Sequence, residues 1–186
     1  MRTQYWGQLV VAAPVTSGMF LLPMSSWWSD VAIVRMNTEL PVSPARLFTG
    51  AITPSMGFTV AGYGATETNP WFDINPTFGT FRARKHFGFS SVAQVSSLYF
   101  SQPAPNDKTS AVCAGDSGGA VLLDRPGWAP SCVLGVISYN IPGPGASATA
   151  TPTPEQCRFG YWHATVAARY QWILDNANYD TTISGC

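Results

Sequence analysis

Short apolar runs recur along most of this chain, and turn residues break the pattern every few positions. Runs of four to nine residues, many of them β-branched or aromatic, predict strands at Gln8–Ala13, Gly18–Leu22, Val31–Met36, Phe58–Gly62, Gly79–Arg84, Val92–Phe100, Gly119–Leu123, Cys132–Ser138 and Phe159–Val166. The punctuation is dense, with 17 glycines and 15 prolines. The period changes only near the end. Val166, Tyr170, Ile173, Leu174 and Ala177 fall at helical spacing and predict one helix over Val166–Ala177, with an apolar face for packing. Residues 141–156, "IPGPGASATATPTPEQ", have no apolar period and read as an extended, mobile loop. The chain is therefore expected to be mainly β with a C-terminal helix.

Composition narrows what such a fold can do. Apolar residues make up 46% of the 186 positions, charged residues 11%, and the formal net charge is zero. Disorder needs the opposite balance. Without a basic surplus there is no electrostatic basis for binding nucleic acid or an anionic membrane, and the short run Arg82–Lys85 reads as a solvated strand edge. No apolar run reaches the length of a membrane span. The opening residues carry one arginine and a short apolar patch between Gln8 and Pro14, which reads as a buried strand rather than a signal sequence. The four cysteines, Cys113, Cys132, Cys157 and Cys186, lack metal-ligand spacing. They favour two disulfides and an oxidising compartment, with three pairings open.

The candidate chemistry lies in "CAGDSGGAV", residues 113–121. A serine between an aspartate and glycines looks like a nucleophile on a shaped backbone. Ser117 then lends meaning to "WWSDVAIVRMN", where Asp30 immediately precedes an apolar strand. The pair resembles the serine motif and the Asp-Ile-Ala-Leu-type signature of the chymotrypsin/trypsin family of serine endopeptidases. "FTVAGYGATE" (residues 58–67) resembles the first strand of that family's second barrel. "LGVISYN" (134–140) resembles its cleft-lining strand, and "ATVAARYQWI" (164–173) its closing strand and final helix.

The resemblance implies a double antiparallel β-barrel. Residues 1–50 would hold a remnant of the first barrel with the connecting segment, and 51–186 the second barrel and helix. It implies that Ser117 attacks the scissile carbonyl, that Asp30 orients a histidine, and that the N–H groups of Gly115 and Ser117 form the oxyanion hole. Asp116 would order that hole by pairing with a new α-amino group, although the chain opens with Met1 and not an Ile-Val-Gly-Gly-like start. Ala111, six residues before the nucleophile, would floor the primary specificity pocket. Ser138, Tyr139, Asn140 and Gly160 would wall it, giving an apolar or aromatic preference. Cys113 pairs with Cys157 by the same resemblance, which leaves Cys132 and Cys186 to each other. The substrate would be a polypeptide, the setting extracellular, and no cofactor or metal is called for.

One element of the pattern is missing. The family carries its histidine upstream of the aspartate, and residues 1–29 contain none. His86 and His163 both follow Asp30 and read as ordinary surface or core residues. Two readings follow. One is a serine endopeptidase lacking the part that carries its base, with negligible activity by itself. The other is a non-catalytic homologue that keeps the scaffold as a secreted binding or inhibitory module.

Overall fold

A computed structural model describes residues 20–21, 30–33, 44–64, 86–113, 115–123, 132–141, 156–177 and 184–186. Ten strands lie in this set: β1 (Phe20–Leu21), β2 (Ala32–Ile33), β3 (Arg46–Leu47), β4 (Gly57–Gly62), β5 (His86–Ser91), β6 (Gln94–Val95), β7 (Tyr99–Gln102), β8 (Ala120–Leu123), β9 (Cys132–Asn140) and β10 (Tyr161–Thr165). One helix, α1 (Tyr170–Asn176), follows them. The strands from β4 onward form one curled antiparallel sheet in the order β5-β4-β8-β9-β10-β7-β6, and β3 joins it by a parallel pairing with β9. β1 and β2 pair separately. The architecture is mainly β with a C-terminal helix, as the short β-branched and aromatic runs predict. The predicted strands Gln8–Ala13 and Gly79–Arg84 and the loop at 141–156 lie wholly or almost wholly outside the described residues.

The sheet closes over a main core, with a smaller cluster of Val31, Tyr99 and Ala164 beside it. Phe58, Phe100, Val121 and Leu134 are fully buried, and the Phe58 and Phe100 rings meet edge to face at 5.8 Å. Each such aromatic contributes about 1.5–3 kcal/mol through burial. β9 must be bare at Gly135 for this packing, because a Cβ there would lie 2.6 Å from the Ala164 carbonyl oxygen and 2.7 Å from the Phe100 ring. A disulfide joins Cys132, at the start of β9, to Cys186, and a second joins Cys113 to Cys157. The tail is also stitched to β3 by backbone bonds from Leu47 to Ser184 and from Cys186 to Leu47.

Three predicted elements change shape. Val92–Phe100 is not one strand. It breaks between β6 and β7, where the Ser96 N–H donates to the Tyr99 carbonyl and the Ser96 hydroxyl accepts from the Tyr99 N–H, a local turn that outcompetes the ladder. Phe159–Val166 begins as a strand only at Tyr161. Gln156–Phe159 forms a 3-10 turn, and Gly160 takes φ +99°, a left-handed conformation that ends the turn before β10 can start. The helix starts at Tyr170 rather than Val166, because Ala167–Arg169 winds as a 3-10 turn. There the Arg169 guanidinium folds back on the Thr165 and Leu98 carbonyls, at 2.9 and 2.8 Å.

Candidate active site

The Ser117 turn hangs from the centre of the sheet. Its end is bonded directly to β9: the Gly118 N–H donates to the Ile137 carbonyl, and the Ile137 N–H donates to the Gly119 carbonyl, both at 2.9 Å. Its start is closed by the Asp116 N–H donating to the Cys113 carbonyl at 3.0 Å. Gly115 and Gly118 take φ +90° and +83°, values that side-chain-bearing residues adopt at a cost, and this lets the chain reverse twice within four residues. Ser117 is left exposed at the tip, with its Oγ 3.5 Å from the Ser138 carbonyl, just beyond β9's bond to the turn.

Asp30 reaches the same place from far away in the sequence. Val31 is buried with Tyr99 and Ala164, so the residue after the aspartate anchors in the core and fixes where Asp30 sits. The Ser138 hydroxyl donates to Asp30 Oδ2 at 2.6 Å, between residues 108 positions apart. Ser138 therefore holds the carboxylate, a task the sequence reading did not give it. Arg169, also missed, lies almost fully buried beneath the Tyr99 ring, 5.3 Å from its centroid. Burial lowers the pKa of its guanidinium, and the charge of Asp30 acts in the opposite sense. A helix-face pattern gives no hint of an arginine buried at its start.

The Asp116 carboxylate is held by two backbone amides. Its Oδ1 accepts the Gly64 N–H at 2.7 Å and its Oδ2 accepts the Cys113 N–H at 2.9 Å. Burial raises its pKa, while these two bonds and the charge of His86 pull it down. A Cβ on Gly62 or Gly64 would overlap the carboxylate, so both glycines are there to admit it.

The expected pocket residues differ in exposure. Ala111 lines a cavity of about 190 Å³ on the Asp116 side, together with Val60, Gly62, Gly64, His86, Phe87, Gly88, Ser110, Val112 and Asp116. Asn140 and Gly160 are buried. Asn140 lies opposite Tyr161, which is 2% exposed and whose hydroxyl is pushed up to about 12 by burial and by the Asp116 charge. Tyr139 is exposed, with its ring against Tyr99 and Trp162.

Neither histidine bonds Ser117 among the described residues. His163 is fully enclosed, packs against Phe58 and Phe100, and shares a 3.1 Å hydrogen bond with Gln102. His86 stands on the rim of the Asp116 cavity. Among the described residues no group of His, Cys, Asp and Glu is arranged to hold a metal ion, and no helix is long and apolar enough to cross a membrane.

Comparison with known families decides the lineage of this arrangement: the trypsin family model matches residues 13–157. The chain belongs to the trypsin family. Among solved structures it is similar to a mutant of human heparin binding protein (CAP37), at 14% identity and a TM-score of 0.52. That alignment covers 80% of this chain and 58% of the other, so the chain spans less than two thirds of that neighbour's length. At this identity the likeness shows the fold alone. No curated protein matches the sequence. Family membership and two disulfides fit an oxidising compartment.

Proposed function

We propose that this chain carries the nucleophile half of a serine endopeptidase active site and that by itself it hydrolyses peptides negligibly. The observation that carries the reading is the run of contacts from Ser117 through Ser138 to Asp30, which joins two distant segments at one exposed point. In this reading Ser117 Oγ adds to the scissile carbonyl carbon, and its proton must pass to a base. The carbonyl oxygen becomes an oxyanion facing the N–H groups of Gly115 and Ser117. These two amides donate to no backbone acceptor among the described residues, which leaves them open to such an oxygen. Asp30 would orient the base through its remaining acceptor positions and stabilise the cation that forms.

The base itself is the gap. His163 is enclosed and committed to Gln102, so the reaction needs an imidazole from outside the described arrangement. Losing one member of such a triad costs roughly ten-thousand- to million-fold in turnover. Residues 1–50 are proposed as the remnant of a first barrel and 51–186 as the second barrel and helix of one peptidase domain. The protein is proposed to be secreted and to act on polypeptides. An uncharged Ala111 gives no partner for an arginine or lysine side chain, and with Ser138, Tyr139, Asn140 and Gly160 it would make a pocket of apolar preference.

A second reading has one observation in its favour, the absence of a histidine bonded to Ser117. It is a non-catalytic, secreted binding or inhibitory module. The two readings separate on labelling of Ser117 by a fluorophosphonate probe with and without added imidazole. A proteolytic site that lacks only its base reacts faster when imidazole is supplied. A module with no competent oxyanion hole does not respond.

A further inference from the structure

The segments expected to wall the specificity pocket meet around one side chain. Tyr161 opens β10, directly after Gly160, and is paired with Asn140 of β9 on one side and Gln102 of β7 on the other. Residues opposite each other on antiparallel strands put their side chains on the same face. Tyr161, Asn140 and Gln102 therefore share a face, and all three are buried. Gln102 shows where that face looks. Its Nε2 donates to the Ser110 carbonyl at 3.3 Å, one residue before Ala111, the expected floor. The Tyr161 phenol lies in the same direction, close enough to Asp116 to feel its charge. The ring also belongs to one core cluster with Val112, Cys113 and Cys157. Its space is bounded by the end of β9, the start of β10 and residues 110–113, the segments expected to enclose the pocket.

The walls are fixed around the ring. The Ile141 N–H donates to the Gly160 carbonyl at 3.0 Å and ties two of them together. Gly160 is already tight against β7, since a Cβ on it would lie 2.6 Å from the Gln102 carbonyl oxygen. The Cys113–Cys157 disulfide closes the third side. Ala111, meanwhile, lines the cavity that also holds Gly62, His86 and Asp116. Binding pockets combine apolar walls with a few polar groups. Here Val112 and the disulfide supply the first, Asn140 and Gln102 the second, and a tyrosine ring takes the space between them.

We propose that Tyr161 fills the primary specificity pocket from within, so that the chain accepts a small side chain such as alanine before the scissile bond and excludes aromatic and long ones. An interior at this packing density has no room for a second ring. The substrate class rests on the endopeptidase reading, whose apolar preference it narrows. That the ring occupies the pocket does not depend on Ser117 reacting.

The experiment therefore has two arms, both on the full chain. In the first, two peptidyl diphenyl phosphonates that differ only in an alanine or a phenylalanine side chain next to phosphorus are compared with added imidazole. Ser117 Oγ bonds to phosphorus, phenoxide leaves, and the imidazole takes the serine proton. The wild type should label about tenfold or more faster with the alanine probe, and Tyr161→Ala should lose or invert that ratio. In the second arm 4-methylphenol, the tyrosine side chain cut at its Cβ, is titrated while the amides of Val112, Cys113, Asn140 and Gly160 are followed by ¹H–¹⁵N NMR. It should leave the wild type unshifted and shift these amides in Tyr161→Ala. Tyr161→Leu, which keeps more of the apolar volume, serves both arms if the alanine variant does not fold. A wild type that labels equally fast with both probes overturns the proposal, as does one whose pocket amides respond to 4-methylphenol. So does a folded variant that changes in neither arm. If neither phosphonate nor a fluorophosphonate labels Ser117, the endopeptidase reading fails, and the second arm still decides whether the ring fills the pocket.

Discussion

His163 makes this fold sensitive to acid, and the size of the effect can be worked out from its surroundings. The ring is 0% exposed, lies 5.1 Å from the Phe100 ring and 5.6 Å from the Phe58 ring, and shares its Nε2 proton with Gln102 Oε1 at 3.1 Å. With the proton on Nε2, Nδ1 is a bare acceptor, buried with no hydrogen-bond partner. Protonating it would place an unpaired cation among aromatic rings. Burial accordingly lowers the pKa to about 3.

In the unfolded chain the imidazole titrates near its ordinary value of 6.5. Between the two values the unfolded state binds the extra proton, so folding stability rises with pH. The contribution is fully present above about pH 6.5 and is lost progressively as the pH falls toward 3. A difference of about 3.5 pKa units amounts to roughly 5 kcal/mol, of which about 3 is lost by pH 4.5. Asp116 works the other way, because a carboxyl raised by burial takes its proton first in the folded state and adds stability as the pH falls. Urea midpoints between pH 7 and 4.5 for the wild type and His163→Met separate the two. Methionine fills irregular space and does not titrate. The wild type should lose about 3 kcal/mol more than the variant over this range. Parallel profiles would refute the reasoning.

Other consequences follow from single contacts. Asp116→Ala strips the acceptor from the Gly64 and Cys113 amides and should lower stability by about 2 kcal/mol, seen as a Tm drop of about 4–8 °C. An unchanged Tm would mean that water replaces the carboxylate at no cost. Removing the Cys132–Cys186 bridge by a double alanine substitution frees a loop spanning 54 positions and should cost about 4 kcal/mol on the chain-entropy estimate, read as a lower urea midpoint. Ser138→Ala removes the 2.6 Å bond to Asp30. Because Asp30 is exposed, stability should change by less than about 1.5 kcal/mol, whereas imidazole-assisted labelling of Ser117 should slow severalfold. A variant that labels as fast as wild type would show that Ser138 does not position the aspartate.

Much of this was legible in the chain itself, for identifiable reasons. β4, β8 and β9 are runs rich in β-branched and apolar residues, so pattern alone finds them within a residue or two. The serine turn is legible because glycines at two left-handed positions leave few alternatives. The break inside Val92–Phe100 was hidden, because the Ser96 hydroxyl competes with the ladder through one local bond that no hydrophobic period records. The roles of Ser138 and Arg169 were hidden for a different reason. Each depends on a partner 30 or more positions away, brought near by strand pairing or core packing. Sequence spacing reports neighbours along one element. It does not report which side chain meets which across the sheet.

If Ser117 sits in a prepared protease site that lacks only its base, the rate of its labelling by a fluorophosphonate probe shows it. The chain alone should label slowly, the rate should rise markedly on adding imidazole, and Ser117→Ala should lose the signal completely. Labelling at an ordinary protease rate without imidazole would contradict it, since a base would then already be in place. No response to imidazole at any concentration would contradict it too, by showing that the site around Ser117 is not prepared for the reaction.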